Sequence, residues 1–336
     1  MMLTTQELEA ACAAGQAQDY SRHDLEPAEL SLKAVYYPLG FPTEVRTNSS
    51  EALEIIDTLW NKFQQQWDTE PIISEIHMVE DDSSECPPEP VYRLVRPLLL
   101  GIADGSNYSI ADMERDRVQI VVSRVALRHK LYAGYFLLAA SGSITATRYA
   151  TPIHAGCVAF DGKGVLLCGD SGAGKSTLSY ACARAGWTYI SDDGTYLINH
   201  RNDRLVTGDC HRVRFRPTAA ELFPEIRGLE ITPRAAGKPS IELPTAPMSH
   251  IRRAQTANAE FLVFLNRRSG KSPQLVPYCK GVARNFARQS LFSLPKARAM
   301  QHQAIDRLLE ADVFELHYSD LDWAIQRLEQ LVREGY

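Results

Sequence analysis

The stretch LLCGDSGAGKSTL, residues 166 to 178, constrains this chain more than any other. It contains Gly-x-x-x-x-Gly-Lys-Ser from Gly169 to Ser176, behind an apolar strand pattern and ahead of a helical one that runs from Lys175 to Ala185 and stops at Gly186. Gly169, Gly172 and Gly174 let the backbone curl so that successive N–H groups converge on an anion. The helix that follows presents about half a positive charge at its N-terminus. In such a loop Lys175 reaches the β- and γ-phosphates of a nucleotide, and the Ser176 hydroxyl ligates Mg²⁺. Gly169, Asp170, Ser171, Gly172, Ala173, Gly174, Lys175, Ser176 and Thr177 are therefore the expected nucleotide contacts, with ATP and Mg²⁺ as the ligands.

What precedes the loop narrows the fold. CVAF-DGKG-VLLCG reads as two apolar strands joined by a tight Asp-Gly/Lys-Gly turn, hence a β-hairpin. Doubly wound nucleotide-binding folds alternate helices with parallel strands. A strand running antiparallel to the one that feeds the loop instead predicts an α/β fold with a mixed sheet. Downstream, the strand-like YISDD ends in Asp192 and Asp193, with Asp192 seventeen residues after the lysine. One carboxylate there can hold Mg²⁺, directly or through water. A second can accept the proton of an attacking hydroxyl, an aid worth about 10²–10⁴ in rate; otherwise Asp193 simply caps the turn before Gly194. His154, fifteen residues before Gly169, opens the hairpin's first strand. A histidine so placed can sit beside the phosphates, although on spacing alone a structural role is the commoner one.

The rest of the chain frames this core. At 336 residues it has room for two domains. Segment 1–30 reads as peripheral, with one short helix from Thr5 to Ala14, and 31–145 as an α+β region that selects the acceptor. Residues 146–336 read as the catalytic P-loop domain. In the middle region, LKAVYYPLGFPTEVRT predicts strand, turn, strand. A helix starting at Asn48, with Glu51 three residues on, buries Leu53, Ile56, Trp60 and Phe63. Residues 91–122 read as strands, and Ser123–Ser141 as a helix with Leu127, Leu131, Tyr135 and Leu138 on its inner face. Further on, TYLIN and LVTGD form a second hairpin, EFLVFLNR (260–267) a buried strand, and Ser319 with Asp322 caps the last helix. Arg212, Arg214 and Arg216 alternate, so on a strand they share one face, turned either to an acidic substrate or to solvent. Cys168 reads as a small core residue.

Composition excludes several classes. A net charge of -5 offers no bulk attraction to nucleic acid or anionic lipid. The most apolar window, LYAGYFLLAASG, is too short to span a bilayer. The N-terminus has no basic region followed by an apolar core, so no secretory signal is expected. The seven cysteines are scattered without a CxxC pair, against a zinc knuckle or disulfide framework. A cytoplasmic protein is the expectation.

Taken together, HAGCVAFDGKGVLLCGDSGAGKSTL and ARAGWTYISDD resemble the HPr kinase/phosphorylase family. The likeness is in order and spacing: a histidine opening a strand, a hairpin, the glycine loop, a helix ending in glycine, and a strand ending in Asp-Asp. It is specific over about 45 residues and weak before residue 145. It implies the P-loop fold shared with phosphoenolpyruvate carboxykinase, with mixed sheets. It also implies Asp193 as the proton acceptor, Asp192 on the metal side, and His154 and Lys175 beside them in catalysis. PEIRGLEI (224–231) resembles the family's E-[IV]-R-G signature in part, which points Glu225 at Mg²⁺ and Arg227 at the phosphates; Glu230 stands where a glycine is usual. Gly237 and Lys238 make either a phosphate-contacting loop or a solvated turn. The family's C-terminal arginine-rich stretch and its regulatory domain have no evident counterpart. The resemblance therefore implies an ATP- and Mg²⁺-dependent kinase acting on a hydroxyl, most readily serine, of a protein, peptide or small molecule, and with it a homo-oligomer. The alternatives are a non-catalytic nucleotide-responsive scaffold and a reversible kinase/phosphorylase.

Overall fold

A computed structural model describes residues 29–336 apart from 82, 96, 233–238, 268, 269, 271, 292 and 293. The expected helix at Thr5–Ala14 and the loop residues Gly237 and Lys238 lie outside the described residues. The protein is a mixed α/β structure, and its residues cluster into two compact units that meet in sequence between Arg148 and Tyr149.

The first unit is built on a seven-stranded sheet. Its strands are β1 (Leu32–Tyr36), β2 (Thr43–Thr47), β3 (Ile72–Val79), β4 (Val91–Val95), β5 (Leu98–Asp104), β6 (Asn107–Asp112) and β7 (Arg117–Ser123). They lie in the order β1-β2-β3-β7-β6-β5-β4, and β2-β3 and β3-β7 are parallel. Helices α1 (Ser50–Trp60), α2 (Arg124–Arg128) and α3 (Lys130–Arg148) belong to the same unit. Ile56 and Trp60 of α1 and Phe136, Leu137, Ala140 and Ile144 of α3 are buried. Across β1, β2, β3 and β7, Lys33, Glu44, Arg46, Glu75 and Arg117 form a chain of ion pairs.

Three local expectations are corrected here. Helix α1 is capped by Ser49, whose hydroxyl accepts from the Ala52 N–H, while Asn48 instead exchanges two hydrogen bonds with the Met78 backbone. The helix expected over Ser123–Ser141 is two helices, α2 and α3, the second reaching Arg148. Leu131 is 52% exposed, and Tyr132, Phe136, Ala140 and Ile144 form the inner face instead. Helix α3 packs against α1, α2, β3, β6 and β7, so its burial is wider than the single stripe that its large apolar residues mark.

The second unit holds the glycine loop. Its strands are β8 (Ala150–Phe160), β9 (Lys163–Cys168), β10 (Thr188–Ser191), β11 (Gly194–Ile198), β12 (Leu205–Gly208), β13 (Arg212–Phe215), β14 (Ile231–Thr232), β15 (Ser240–Pro244), β16 (Arg252–Arg253), β17 (Thr256–Asn266), β18 (Gln274–Pro277) and β19 (Asp312–His317). Its helices are α4 (Lys175–Arg184), α5 (Lys280–Gln289), α6 (Pro295–Leu308) and α7 (Leu321–Glu334). The β8-β9 hairpin turns at Asp161 and Gly162, with φ of 47° and 78°. Positive φ at both positions is the type I′ turn that matches strand twist. β9 then runs parallel to β17, and β17 parallel to β19, so the sheet is mixed. Pairing closes on itself around β8, β11, β12, β17 and β9. The strand expected at 260–267 is the longer β17, which pairs with β12 at its start and with β9 and β19 further on. Helix α7 is capped by Asp320, one residue from the expected Ser319.

Two apolar clusters lie on the faces of these strands. One gathers Ile153, Cys157, Leu166, Cys168 and Phe264 with Ala283 of α5 and Ile305 and Leu308 of α6. The other gathers Val165, Leu167 and Val263 with Leu178 and Cys182 of α4 and Leu328 and Leu331 of α7. A third cluster packs the opposite side of α4, through Tyr180 and Ala183, onto Val213, Phe215, Phe223 and Ile241. Helix α4 is thus held on two sides, which fixes the loop at its N-terminus.

Candidate functional site

The glycine loop connects β9 to α4. Gly169, Gly172 and Gly174 have φ of 144°, 92° and 105°, a region that L side chains rarely adopt. At Gly174 a Cβ would also lie 2.9 Å from the Tyr318 hydroxyl. Gly174 is the N-cap of α4 and has no side chain with which to satisfy the first amides of the helix. Among the described residues, only the Ala173 amide of Ser171–Thr177 donates to a backbone carbonyl, that of Asp170 at 3.0 Å. The remaining amides of that stretch donate to no backbone carbonyl among the described residues, as an anion nest requires.

Lys175 is 5% exposed, and its ammonium is the hub of the site. It donates to the Gly169 carbonyl at 2.8 Å and to His154 Nε2 at 2.9 Å, and lies 3.1 Å from Asp193 Oδ1. An ammonium can only donate, so His154 Nε2 is the acceptor and the imidazole carries its proton on Nδ1. That nitrogen faces Asp193 Oδ1 at 3.6 Å. Burial pushes the His154 pKa below its ordinary value, with Asp193 opposing and Lys175 reinforcing the shift. The neutral imidazole that the Lys175 contact requires is therefore the favoured form. Phe286 of α5 lies beside it, ring centroids 6.4 Å apart.

Strand pairing explains this convergence. β10 pairs antiparallel with β8 through Cys157–Ala159, and β11 continues along the same strand through Ala150–His154. Asp192 and Asp193 occupy the break between β10 and β11, with Gly194 opposite His154. The two carboxyl groups have different surroundings. Asp193 is half-exposed beside Lys175. Asp192 Oδ2 accepts the Arg214 N–H at 2.8 Å. Burial pushes the Asp192 pKa up to about 6, against the pull of the Arg214 amide and charge.

Other expected residues stand apart. Glu225 Oε1 accepts from the Tyr180 hydroxyl at 2.8 Å and lies 3.4 Å from Arg184. Burial would raise its pKa, but backbone hydrogen bonding, Tyr180 and Arg184 hold it below the usual value. Arg227 donates to the Ala220 carbonyl. The structure joins neither residue to the Lys175 cluster. Arg212 and Arg214 share Glu242 as an ion-pair partner, whereas Arg216 Nη2 donates to the Ser171 hydroxyl at 2.9 Å.

Two neighbours of the loop carried no signal in the sequence. Because β9, β17 and β19 run parallel in register, their carboxyl ends coincide and bring Arg267 and Tyr318 beside the loop. Arg267 Cδ would be 3.0 Å from a Cβ at Gly174, and its guanidinium lies over the Tyr318 ring at 6.0 Å. The Tyr318 hydroxyl is buried without a partner, as is that of Ser179 in α4.

Among the described residues no three His, Cys, Asp or Glu side chains converge on one point as a metal cage. Mg²⁺ needs no such cage: it takes one or two carboxylates and fills its shell with water and substrate phosphates. Asp192 and Asp193 at the strand break, with Ser176 in the first turn of α4, are a donor set of that chemistry. Among the described residues no helix is long and apolar enough to cross a membrane.

No protein-family model and no curated protein sequence matches the chain. Among solved structures it is similar to the HPr(Ser) kinase/phosphatase from Coxiella burnetii. That match has 16% identity, covers 55% of this chain and 99% of that one, and has a TM-score of 0.30. A likeness at that level assigns no residue a role.

Proposed function

We propose that the second unit is an ATP- and Mg²⁺-dependent phosphotransferase that moves the γ-phosphoryl group to a hydroxyl, serine first among the candidates. The observation that carries this reading is the Lys175 ammonium, held between the Gly169 carbonyl, neutral His154 and Asp193. A lysine in a glycine cradle needs only phosphate to replace its carboxylate partner. The cradle amides and Lys175 hold the β- and γ-phosphates, leaving the Asp193 carboxylate facing the acceptor. The acceptor oxygen bonds to the γ-phosphorus, the bond to the β,γ-bridging oxygen breaks, and that electron pair leaves with ADP. The hydroxyl proton passes to Asp193. His154 positions both Lys175 and Asp193, and Asp192, fixed by the Arg214 amide, serves the metal side with Ser176. Mg²⁺ would supply charge neutralisation on the phosphate oxygens. Phosphoryl transfer asks a protein mainly for such positioning and electrostatics. Glu225, Arg227 and Lys238 have no part in this reading.

The test pairs binding with transfer. Wild-type protein is titrated with Mg·ATP, then incubated with γ-labelled ATP and a panel of free L-serine, a serine peptide library and small polyols. Asp193→Asn is expected to bind Mg·ATP within about threefold of wild type, yet to lose on the order of 10²-fold or more in labelled product. Equal transfer by the variant would remove Asp193 from the proton step. Tight binding with no labelled product from any acceptor would favour the scaffold alternative. Release of pyrophosphate from a serine phosphopeptide and inorganic phosphate would add the phosphorylase direction.

A further inference from the structure

Strand β13 and the residue after it reach both halves of the site. The Arg214 amide holds Asp192 Oδ2, and two residues later the Arg216 side chain donates to Ser171 in the glycine loop. Arg216 is exposed, and among the described residues its guanidinium has no carboxylate partner. Four of its five N–H donors are left for something else. On the other flank Arg267 lies beside Gly174, stacked on Tyr318, likewise without a carboxylate among the described residues. Arg117 of β7, Arg212 of β13 and Arg284 of α5 are by contrast ion-paired. Two unneutralised guanidinium groups therefore bracket an anion nest that already contains Lys175.

Their surroundings divide their roles. Arg216 directly follows the strand whose Arg214 amide fixes Asp192, which ties it to the aspartates as well as to the loop. Arg267 sits beside Gly174, the N-cap of α4, where the amides of the helix start would meet the bound donor. We propose that Arg216 is a catalytic residue that neutralises the transferring phosphoryl group, supplied by the chain itself, and that Arg267 holds the donor in its ground state. This rests on the phosphotransferase reading above. As the bond to the bridging oxygen breaks and the bond to the acceptor oxygen forms, charge spreads over the equatorial oxygens of the phosphoryl group, and Arg216 meets it with a planar pair of donors. An arginine in this role is worth about 10³–10⁵ in rate, and its fork geometry cannot be replaced by a lysine ammonium.

The experiment needs no acceptor. Mg·ADP with aluminium fluoride mimics the transferring phosphoryl group, and the dissociation rate of the trapped complex is compared with the affinity for Mg·ATP. Arg216→Ala is expected to keep Mg·ATP affinity within about threefold while trapped ADP leaves on the order of 10²-fold faster. Arg216→Lys should behave like the alanine variant, and millimolar free guanidinium should restore trapping to Arg216→Ala. Arg267→Ala should weaken Mg·ATP and trapped ADP in the same proportion. Wild-type trapping that survives Arg216→Ala unchanged overturns the Arg216 assignment and leaves the phosphotransferase reading standing. So does an equal loss of ATP affinity and trapping in that variant, which would make Arg216 a ground-state contact. Wild-type protein that binds ADP without trapping it, or binds no nucleotide, overturns the phosphotransferase reading and the assignment with it.

Discussion

Asp192 sits where its own charge is unwelcome. Its folded pKa of about 6, set by burial, exceeds the ordinary value of 3.8. A carboxyl raised in this way stabilises the fold fully below its unfolded pKa and loses that contribution as pH rises through the folded one. At pH 7 the ionised group therefore costs stability, on the order of 1–3 kcal/mol. Asn keeps an oxygen for the Arg214 amide and removes the charge. In nucleotide-free protein Asp192→Asn should raise Tm by several degrees at pH 7 and change it little at pH 4. Thermal unfolding at both pH values checks this, and a variant less stable than wild type at pH 7 would show that the amide contact outweighs the burial. The loop glycines, His154, Lys175 and the aspartates could be singled out in the sequence because order and spacing along one segment carry them. Arg267 and Tyr318 could not, since only the parallel alignment of β9, β17 and β19 brings them to the loop.

At the scale of elements, the site depends on how closely α4 approaches β8 and the end of β10. Gly156 of β8 makes that approach possible. A Cβ there would overlap the Ser179 hydroxyl of α4 and lie 2.9 Å from the Asp192 carbonyl. The serine can rotate, but the carbonyl is Asp192's own and cannot yield without moving the aspartates. Gly156→Ala should therefore cost about 1–3 kcal/mol and weaken Mg·ATP binding as well, because the loop and the aspartates move apart. Denaturant unfolding and nucleotide titration of the variant test both parts; a stability loss with unchanged affinity would mean that α4 carries its loop along. The β8-β9 hairpin was legible because Asp-Gly between apolar strands has one geometry that suits strand twist. The caps were less so. In the run Asn48, Ser49, Ser50 several residues can cap a helix, and the choice fell to Ser49 because Asn48 is engaged with Met78, a partner in another strand. The faces of α3 were misread for a similar reason, since its burial comes from contacts on several sides.

For the whole molecule, the mixed sheet followed from one antiparallel hairpin, but the circuit β8-β11-β12-β17-β9 did not. It needs β8 and β17 each to pair with different partners along their length, which no local pattern announces. The three apolar clusters around that circuit and α4 draw every member from residues between Ile153 and Val332. Among the described residues those clusters hold none from the first unit, and a cluster of Leu98, Leu100, Ile102, Tyr108, Ile110 and Val121 lies wholly within that unit. A unit of this size with its own core buries enough surface to fold alone. Residues 149–336 expressed by themselves should unfold in one cooperative transition and bind Mg·ATP within about threefold of the full chain, a difference of less than 1 kcal/mol. If transfer to a free small hydroxyl compound persists in this fragment while transfer to a peptide is lost, the first unit selects the acceptor. A fragment that stays folded yet loses nucleotide affinity would instead place part of the donor site outside residues 149–336, and the glycine loop with its aspartates would no longer be a complete donor half.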